Sequence, residues 1–411
     1  MRPSILAILI SALCLNAPGF GVRLSFPLSI THQPMTAQAA PSPATVLETL
    51  FRSPTIAADQ FTDAFLQQVP VAKVQQIVDQ LKQQLGPLQA VQGERSDFTV
   101  QLEKGSIPTQ IVLTPDGKIA GLIFGAPTQN VASLDAAIAQ FKTLPGQVSV
   151  LVREGQTTRA ALNPTQPLAV GSAFKLAVLD QLQRQIKAQK LTWQTVVPLQ
   201  AQYKSLPSGM LHTWPDGTGL TVESLAALMI SQSDNTATDH LIHHVGREKI
   251  EAIAPRNQPF LMTRELFQLK SPKNRSLLER YRKGGVSQKR SILGELATQP
   301  LPEVSDFADT KPTALEVEWF FSAEELCQLI DRVSNLPLMS INPGIARTAD
   351  WQRVTFKGGS EPGVLNFTTK VQSKTGKQYC VVATWNHNQA LDEPQLISLY
   401  SSLFNVLKNS P

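Results

Sequence analysis

Cysteine is almost absent: the 411 residues hold three, Cys14, Cys327 and Cys380. That excludes a densely disulfide-stapled scaffold and a cysteine-ligated metal centre, because no two stand at metal-ligand spacing. Cys327 and Cys380 fall on an expected helix and an expected strand, and read as two buried thiols rather than a bridge. Histidine is also scarce, with six. His240 and His244 stand at i, i+4 on one short helix, but no carboxylate accompanies them at zinc-protease spacing. With His243 they read as a packed or solvated face, and we expect neither metal nor cofactor. There is no zinc finger, arginine-rich arm or internal repeat. A net charge of +5 and a pI near 9.0 are too mild to suggest nucleic acid.

Long hydrophobic runs are missing as well. The one apolar stretch of note, "SILAILISALCLN" after Met1-Arg2, is too short to cross a bilayer comfortably. It reads as an export signal over residues 1–39, ending at the small-residue site Ala37-Gln38-Ala39. An uncleaved anchor is the alternative. Leu13 before Cys14 is not the small residue that lipidation requires. The expected location is therefore periplasmic or secreted.

The chain does contain ample core, 42% apolar against 17% charged. Its length favours two domains. From 44 to 127, helical periodicity in "TVLETLF", "AADQFTDAFLQQV" and "AKVQQIVDQLKQQL" gives way to strands "DFTVQLEKG", "TQIVLT" and "KIAGLIFG". Pro115-Asp116-Gly117 is the hairpin turn between the last two. This reads as a small α+β domain ending near Pro127-Thr128-Gln129-Asn130. From 130 to 411, a helix and two strands lead into a long helical region, and three strands with a final helix, "PQLISLYSSLFNVL", close the chain. Strands at both sequence ends imply one antiparallel sheet flanked by helices, with a seam that suits a site.

Three polar patterns fall in order within this second part. Ser172 and Lys175 share one helix face at i, i+3, so the amine reaches the hydroxyl. Their neighbours Ala173, Phe174, Leu176, Ala177 and Val178 are apolar, and a buried lysine is pushed towards neutrality, as a base requires. Ser233-Asp234-Asn235 follows a helix that Thr221 caps and precedes another, for which Asp234 or Asn235 is the expected N-cap. Two lysines compete for the third position. Lys357 ends the strand "QRVTFKG" before two glycines that permit close backbone approach. Lys374 belongs to the exposed turn of the next hairpin, about 25–30 Å away at the opposite sheet end. Lys357 is the site residue.

Ser-x-x-Lys, Ser-Asp-Asn and Lys-Gly-Gly, in this order, resemble the penicillin-recognising serine hydrolases, class A β-lactamases above all. "SGMLHTWPDGTGLTVESLAALMISQSDNTATDHLI" and the closing strands and helix share the likeness, over roughly 130–411. The small domain is similar, more weakly, to cystatin-like or steroid-isomerase-like modules. The resemblance implies an α+β, β-lactamase/transpeptidase-like fold with no cofactor. It makes Ser172 the acylated nucleophile, Lys175 its base and Ser233 the proton shuttle to the leaving nitrogen. Asn235 would bind the substrate amide and Lys357 a substrate carboxylate. Backbone N–H groups of Ser172 and Ser360 would form the oxyanion hole. The implied substrates are small-molecule β-lactams, cell-wall peptides or esters, so an esterase, a D-alanyl-D-alanine peptidase and a slowly released penicillin sensor stay open as alternatives.

Two departures stand out. Gly358 replaces the hydroxyl residue that usually follows the lysine, with Ser360 two positions on. The family's Glu-x-x-Leu-Asn loop, whose glutamate activates the deacylating water, reads here "PFLMTRELFQLKSPKN". Glu265 is its one candidate base, but Leu269 comes a position late and Lys270 replaces asparagine. We read Thr263 as a helix cap with Glu265 in the first turn. The basic stretch "KSPKNRSLLERYRKGGVSQKR" reads as a solvated face that could meet an anionic envelope polymer. Around "TALEVEWFFSAEELCQLI", Trp319 and Phe320 read as core.

Overall fold

The computed structural model describes residues 41–307 and 311–409, which fall into two compact units divided between Asn130 and Val131. The expected export signal lies outside the described residues. Among the described residues no helix is long and apolar enough to cross a membrane.

In the first unit, Ser42 caps the helix Pro43–Arg52 by accepting from Thr45 N–H, with proline in the first turn where its missing donor costs nothing. The helix Val71–Leu85 buries Val74, Val78, Leu81 and Leu85, one face at helical spacing. The expected helix over 57–69 is instead interrupted. Phe61 is extended and bridges to Ile119, and Thr62 then caps a new helix, Asp63–Gln68. Four strands, Leu88–Glu94, Asp97–Leu102, Gly105–Leu113 and Ile119–Phe124, form an antiparallel meander. The first had no strand signal, because its "LQAVQGE" is largely polar. Pairing with Asp97–Leu102 across a turn at Arg95 makes it a strand. Thr128–Gln129, read from sequence as a boundary, pairs with Gly105–Ser106 and belongs to this sheet.

The second unit is built on a five-stranded antiparallel sheet with spatial order Arg353–Glu361, Val364–Gln372, Gln378–Asn386, Gln147–Glu154, Thr157–Leu162. The two sequence ends do meet in one sheet. Its central strands are buried almost throughout, which requires cover on both faces. On one side lies the helix Glu393–Lys408, whose Tyr400 hydroxyl donates to Val381 O at 2.8 Å. The helix Ala323–Val333 covers the other. There the cysteine expectation fails: Cys327 and Cys380 form a disulfide. Packing of helix on sheet brings their Cα atoms to 5.9 Å, inside bridging range, across 53 residues of sequence. No sequence pattern carries that information. The arrangement is α+β, one antiparallel sheet covered by helices on both faces.

The expectation that Lys357 ends its strand is also corrected. Pairing runs on through Gly358↔Phe367, Gly359↔Asn366 and Ser360↔Leu365 to Glu361, so Lys357 sits mid-strand. The glycines serve a close approach rather than a stop. A Cβ on Gly359 would lie 2.1 Å from Val170 O and 2.4 Å from Ser172 N. Lys374 occupies the exposed turn closed by Ser373 N–H to Lys377 O. It is six residues beyond Thr368, the partner of Lys357, hence roughly 20 Å away.

Candidate active site

The Ser172 turn is fixed from three sides. Gly171–Phe174 is a single 3-10 turn, entered through Gly171 at φ +48°, from which the helix Lys175–Lys187 departs. The preceding strand Leu168–Ala169 pairs with Phe320–Phe321, and Val170 N–H donates to Trp319 O. The Asn386 side chain bonds both Ala169 N–H and Ala169 O, as a neighbouring strand would. Phe174 stacks on Trp319 with ring centroids 3.7 Å apart. Below, Gly359 lets the 353–361 strand press against the turn.

Ser233 lies between the helices Val222–Ser231 and Asn235–Val245, with φ +57°. Asp234 explains that conformation. One carboxylate oxygen caps the second helix through Ala237 N–H at 2.8 Å, and the other accepts from Met210 and Leu211 N–H. Asp234 is thus a buried N-cap, one of the two residues expected in that place. Thr221 caps the first helix as expected.

These elements converge on one amine. Lys175 is fully buried, with Nζ 3.2 Å from Ser172 Oγ, 3.0 Å from Ser233 Oγ, 2.6 Å from Ser233 O and 2.7 Å from Asn235 Oδ1. Asn235 donates its own amide to Leu206 O, which fixes its oxygen towards the lysine. Burial lowers the Lys175 pKa to about 7, against the opposing pull of Asp239, Asp234 and Glu361. A neutral amine has two N–H groups and one lone pair. Ser233 O and Asn235 Oδ1 only accept, so they take both hydrogens, and the lone pair is left for a serine hydroxyl.

Lys357 completes the cluster. Its Nζ is 3.1 Å from Ser233 Oγ and donates to Gly358 O at 2.5 Å. Its pKa is pushed well below the usual lysine value, first by burial and then by Lys175. Ser233 Oγ thus joins two buried amines, which resist being charged together. Ser360 is exposed at the strand's outer end. Its backbone apposes the Ser172 turn, since a Cβ on Gly171 would lie 3.1 Å from Ser360 N.

Glu265 is placed elsewhere. One oxygen pairs with Arg247 at 2.6 Å, and the other accepts from Met262 N–H at 2.7 Å, closing the first turn of the helix Thr263–Lys270. Thr263 is the first helical residue rather than the cap. Asp239 receives the Thr263 and Arg264 N–H groups and the Thr263 hydroxyl. His240 is packed, bonding Thr236 O and accepting from Gln200 N–H. Among the described residues no group of three metal-type ligands occurs. The basic stretch forms two helices, and Arg280, Arg282 and Arg290 pair with Glu295, Glu279 and Glu251.

Sequence reasoning missed one cluster. Lys270 is buried against Glu318, with Glu361 at 3.5 Å. The replacement of asparagine by Lys270 was the available signal, and two partners distant in sequence concealed its meaning.

Residues 131–282, which hold Ser172, Lys175 and Ser233, match the model of the beta-lactamase enzyme family. No curated protein matches the chain. Among solved structures, a beta-lactamase from Sphaerobacter thermophilus is similar at 19% identity, covering 69% of this chain and 99% of its own, with a TM-score of 0.49. A beta-lactamase from Chitinophaga pinensis is 16% identical over 67% of this chain and 98% of its own, TM-score 0.45. PBP-A is 13% identical over 67% and 96%, TM-score 0.45. The second unit, in its sequence over 131–282, therefore resembles the beta-lactamase enzyme family.

Proposed function

We propose that this protein is an exported serine hydrolase that opens β-lactam rings through an acyl-enzyme on Ser172. The observation that carries the reading is the buried Lys175, whose lone pair has only serine hydroxyls left to face. Ser172 Oγ attacks the lactam carbonyl while Lys175 takes its proton. The developing oxyanion meets the N–H groups of Ser172 and Ser360. The lactam C–N bond breaks, and Ser233 hands the nitrogen a proton that Lys175 replaces. Lys357 receives the substrate carboxylate. An anion bound beside Lys357 raises the pKa that burial and Lys175 depress, so substrate binding and protonation of Lys357 are linked. Export is supported by the Cys327–Cys380 disulfide, which persists in oxidising compartments.

Labelling by a fluorescent penicillin tests the reading. Ser172→Ala should abolish covalent label with the fold retained, and label mapping to another serine would contradict it. Lys357→Ala should slow acylation by orders of magnitude, because its bonds act on bound substrate and transition state, while Lys374→Ala should leave the rate unchanged.

A further inference from the structure

An acyl-enzyme is released only if water is activated beside it, and most nearby carboxylates are occupied. Glu265 pairs with Arg247 and Met262 N–H. Asp239 holds a helix start through both oxygens, and Asp234 holds a loop and a helix. Glu318 differs. Its side chain is fully buried, Oε1 meets Lys270, and Oε2 has no hydrogen-bond partner.

Its position follows from strand register. Phe320 pairs with Ala169 and Phe321 with Leu168, while Val170 N–H donates to Trp319 O. Glu318 immediately precedes Trp319, whose ring stacks on Phe174 and whose carbonyl is held by Val170, two residues before Ser172. Lys270 bridges from Glu318 to Glu361, the residue after Ser360. Glu361 is in turn among the charges that act on Lys175. The cluster therefore lies beside the nucleophile turn and the strand facing it. A buried carboxylate oxygen without a donor is costly, and it offers an acceptor to a water beside it.

We infer that Glu318 is the base that activates the water hydrolysing the Ser172 acyl-enzyme, with Lys270 positioning its carboxylate. The inference rests on the acyl-enzyme reading above. Glu318 takes a proton from water as the water oxygen bonds to the acyl carbon. The tetrahedral species then expels Ser172 Oγ by breaking the C–O bond. Ser172 recovers the proton that Glu318 had accepted, and the product leaves as the acid. Burial raises the Glu318 pKa above the ordinary carboxylate range, which makes it a better base near neutrality, while Lys270 and the Trp319 N–H oppose the rise.

The test separates the two half-reactions in the full chain. The enzyme is acylated with a fluorescent penicillin, excess label is removed, and loss of label from Ser172 is followed. Glu318→Gln should acylate within about threefold of wild type and release at least about 50-fold more slowly. Lys270→Met should slow release at neutral pH and move its pH profile to the alkaline side, a shift that mere loosening of the fold would not produce. Should Glu318→Gln fail to fold, Glu318→Asp decides, because it keeps the ion pair and withdraws the carboxylate by one methylene. Release at the wild-type rate in a folded Glu318 variant would overturn the inference. A wild-type acyl-enzyme with no measurable release would overturn it too. Absence of any label on wild-type Ser172 is a different result and would sink the acyl-enzyme reading itself.

Discussion

In the proposed reaction Lys175 is the residue on which the chemistry turns, and its environment gives a pH dependence with a definite sign. As a base it must be neutral, and its pKa in the fold is about 7. Acylation by a penicillin should therefore rise with pH and level off above about 7, rather than near the ordinary lysine value of 10.5. Stopped-flow acylation rates from pH 5 to 9 check this, and a profile flat through neutrality would count against Lys175 as the base. The same shift bears on stability. The unfolded chain holds the proton more tightly, so the group's unfavourable contribution is complete below pH 7. It is relieved as pH rises from about 7 towards 10.5. Substitution of the buried amine is a poor measure of catalysis alone, because it also removes four polar contacts. The pH profile of the unaltered protein is the cleaner probe.

At the scale of elements, the site depends on how closely the strand Arg353–Glu361 approaches the Ser172 turn. Gly359→Ala puts a Cβ into Val170 O and Ser172 N, both backbone atoms that cannot swing away. Acylation should fall at least about 100-fold and stability by about 2–4 kcal/mol, read by labelling kinetics and urea denaturation. A folded variant labelling at the wild-type rate would show that the contact is looser than it looks. The helix Thr263–Lys270 makes the opposite case. Glu265→Gln loses an ion pair with Arg247 but can keep the bond to Met262 N–H, so stability should drop by about 1–2 kcal/mol. Release of the acyl group should not change. A trapped acyl-enzyme in that variant would mean that Glu265 is the deacylating base after all.

Legibility from sequence divides along the same line. Ser172 with Lys175 was readable because three residues on a helix start fix their relation, and Lys357 because two following glycines and the turn composition around Lys374 distinguish the two lysines. Glu318 and Lys270 were not, since their relation exists only after residues 48 apart are brought together. The polar strand Leu88–Glu94 and the interrupted helix before Asp63 were hidden for a similar reason. A neighbouring strand and a cap decide them, not periodicity.

For the molecule as a whole, the disulfide is the feature that local pattern could not supply. It ties the helix Ala323–Val333 to the middle of the sheet across 53 residues. Closing a loop of that size should contribute about 4 kcal/mol by restricting the unfolded chain. Thermal unfolding with and without a reductant that reaches the bridge, or of the double Cys327→Ala, Cys380→Ala variant, should show a loss of that order. An unchanged melting temperature would indicate that helix and sheet hold together without it. Reduction should weaken the scaffold more than the chemistry, because Ser172, Lys175, Ser233 and Lys357 are held by separate bonds.

The most direct measurement is the intact mass of the protein followed over time after mixing with a penicillin. An acyl-enzyme on Ser172 predicts rapid gain of one whole penicillin, because ring opening expels no fragment, with the adduct on the peptide that contains Ser172. Slower return to the starting mass should follow as the opened product accumulates. No adduct at any time while penicillin remains intact, or an adduct on a peptide without Ser172, would contradict it.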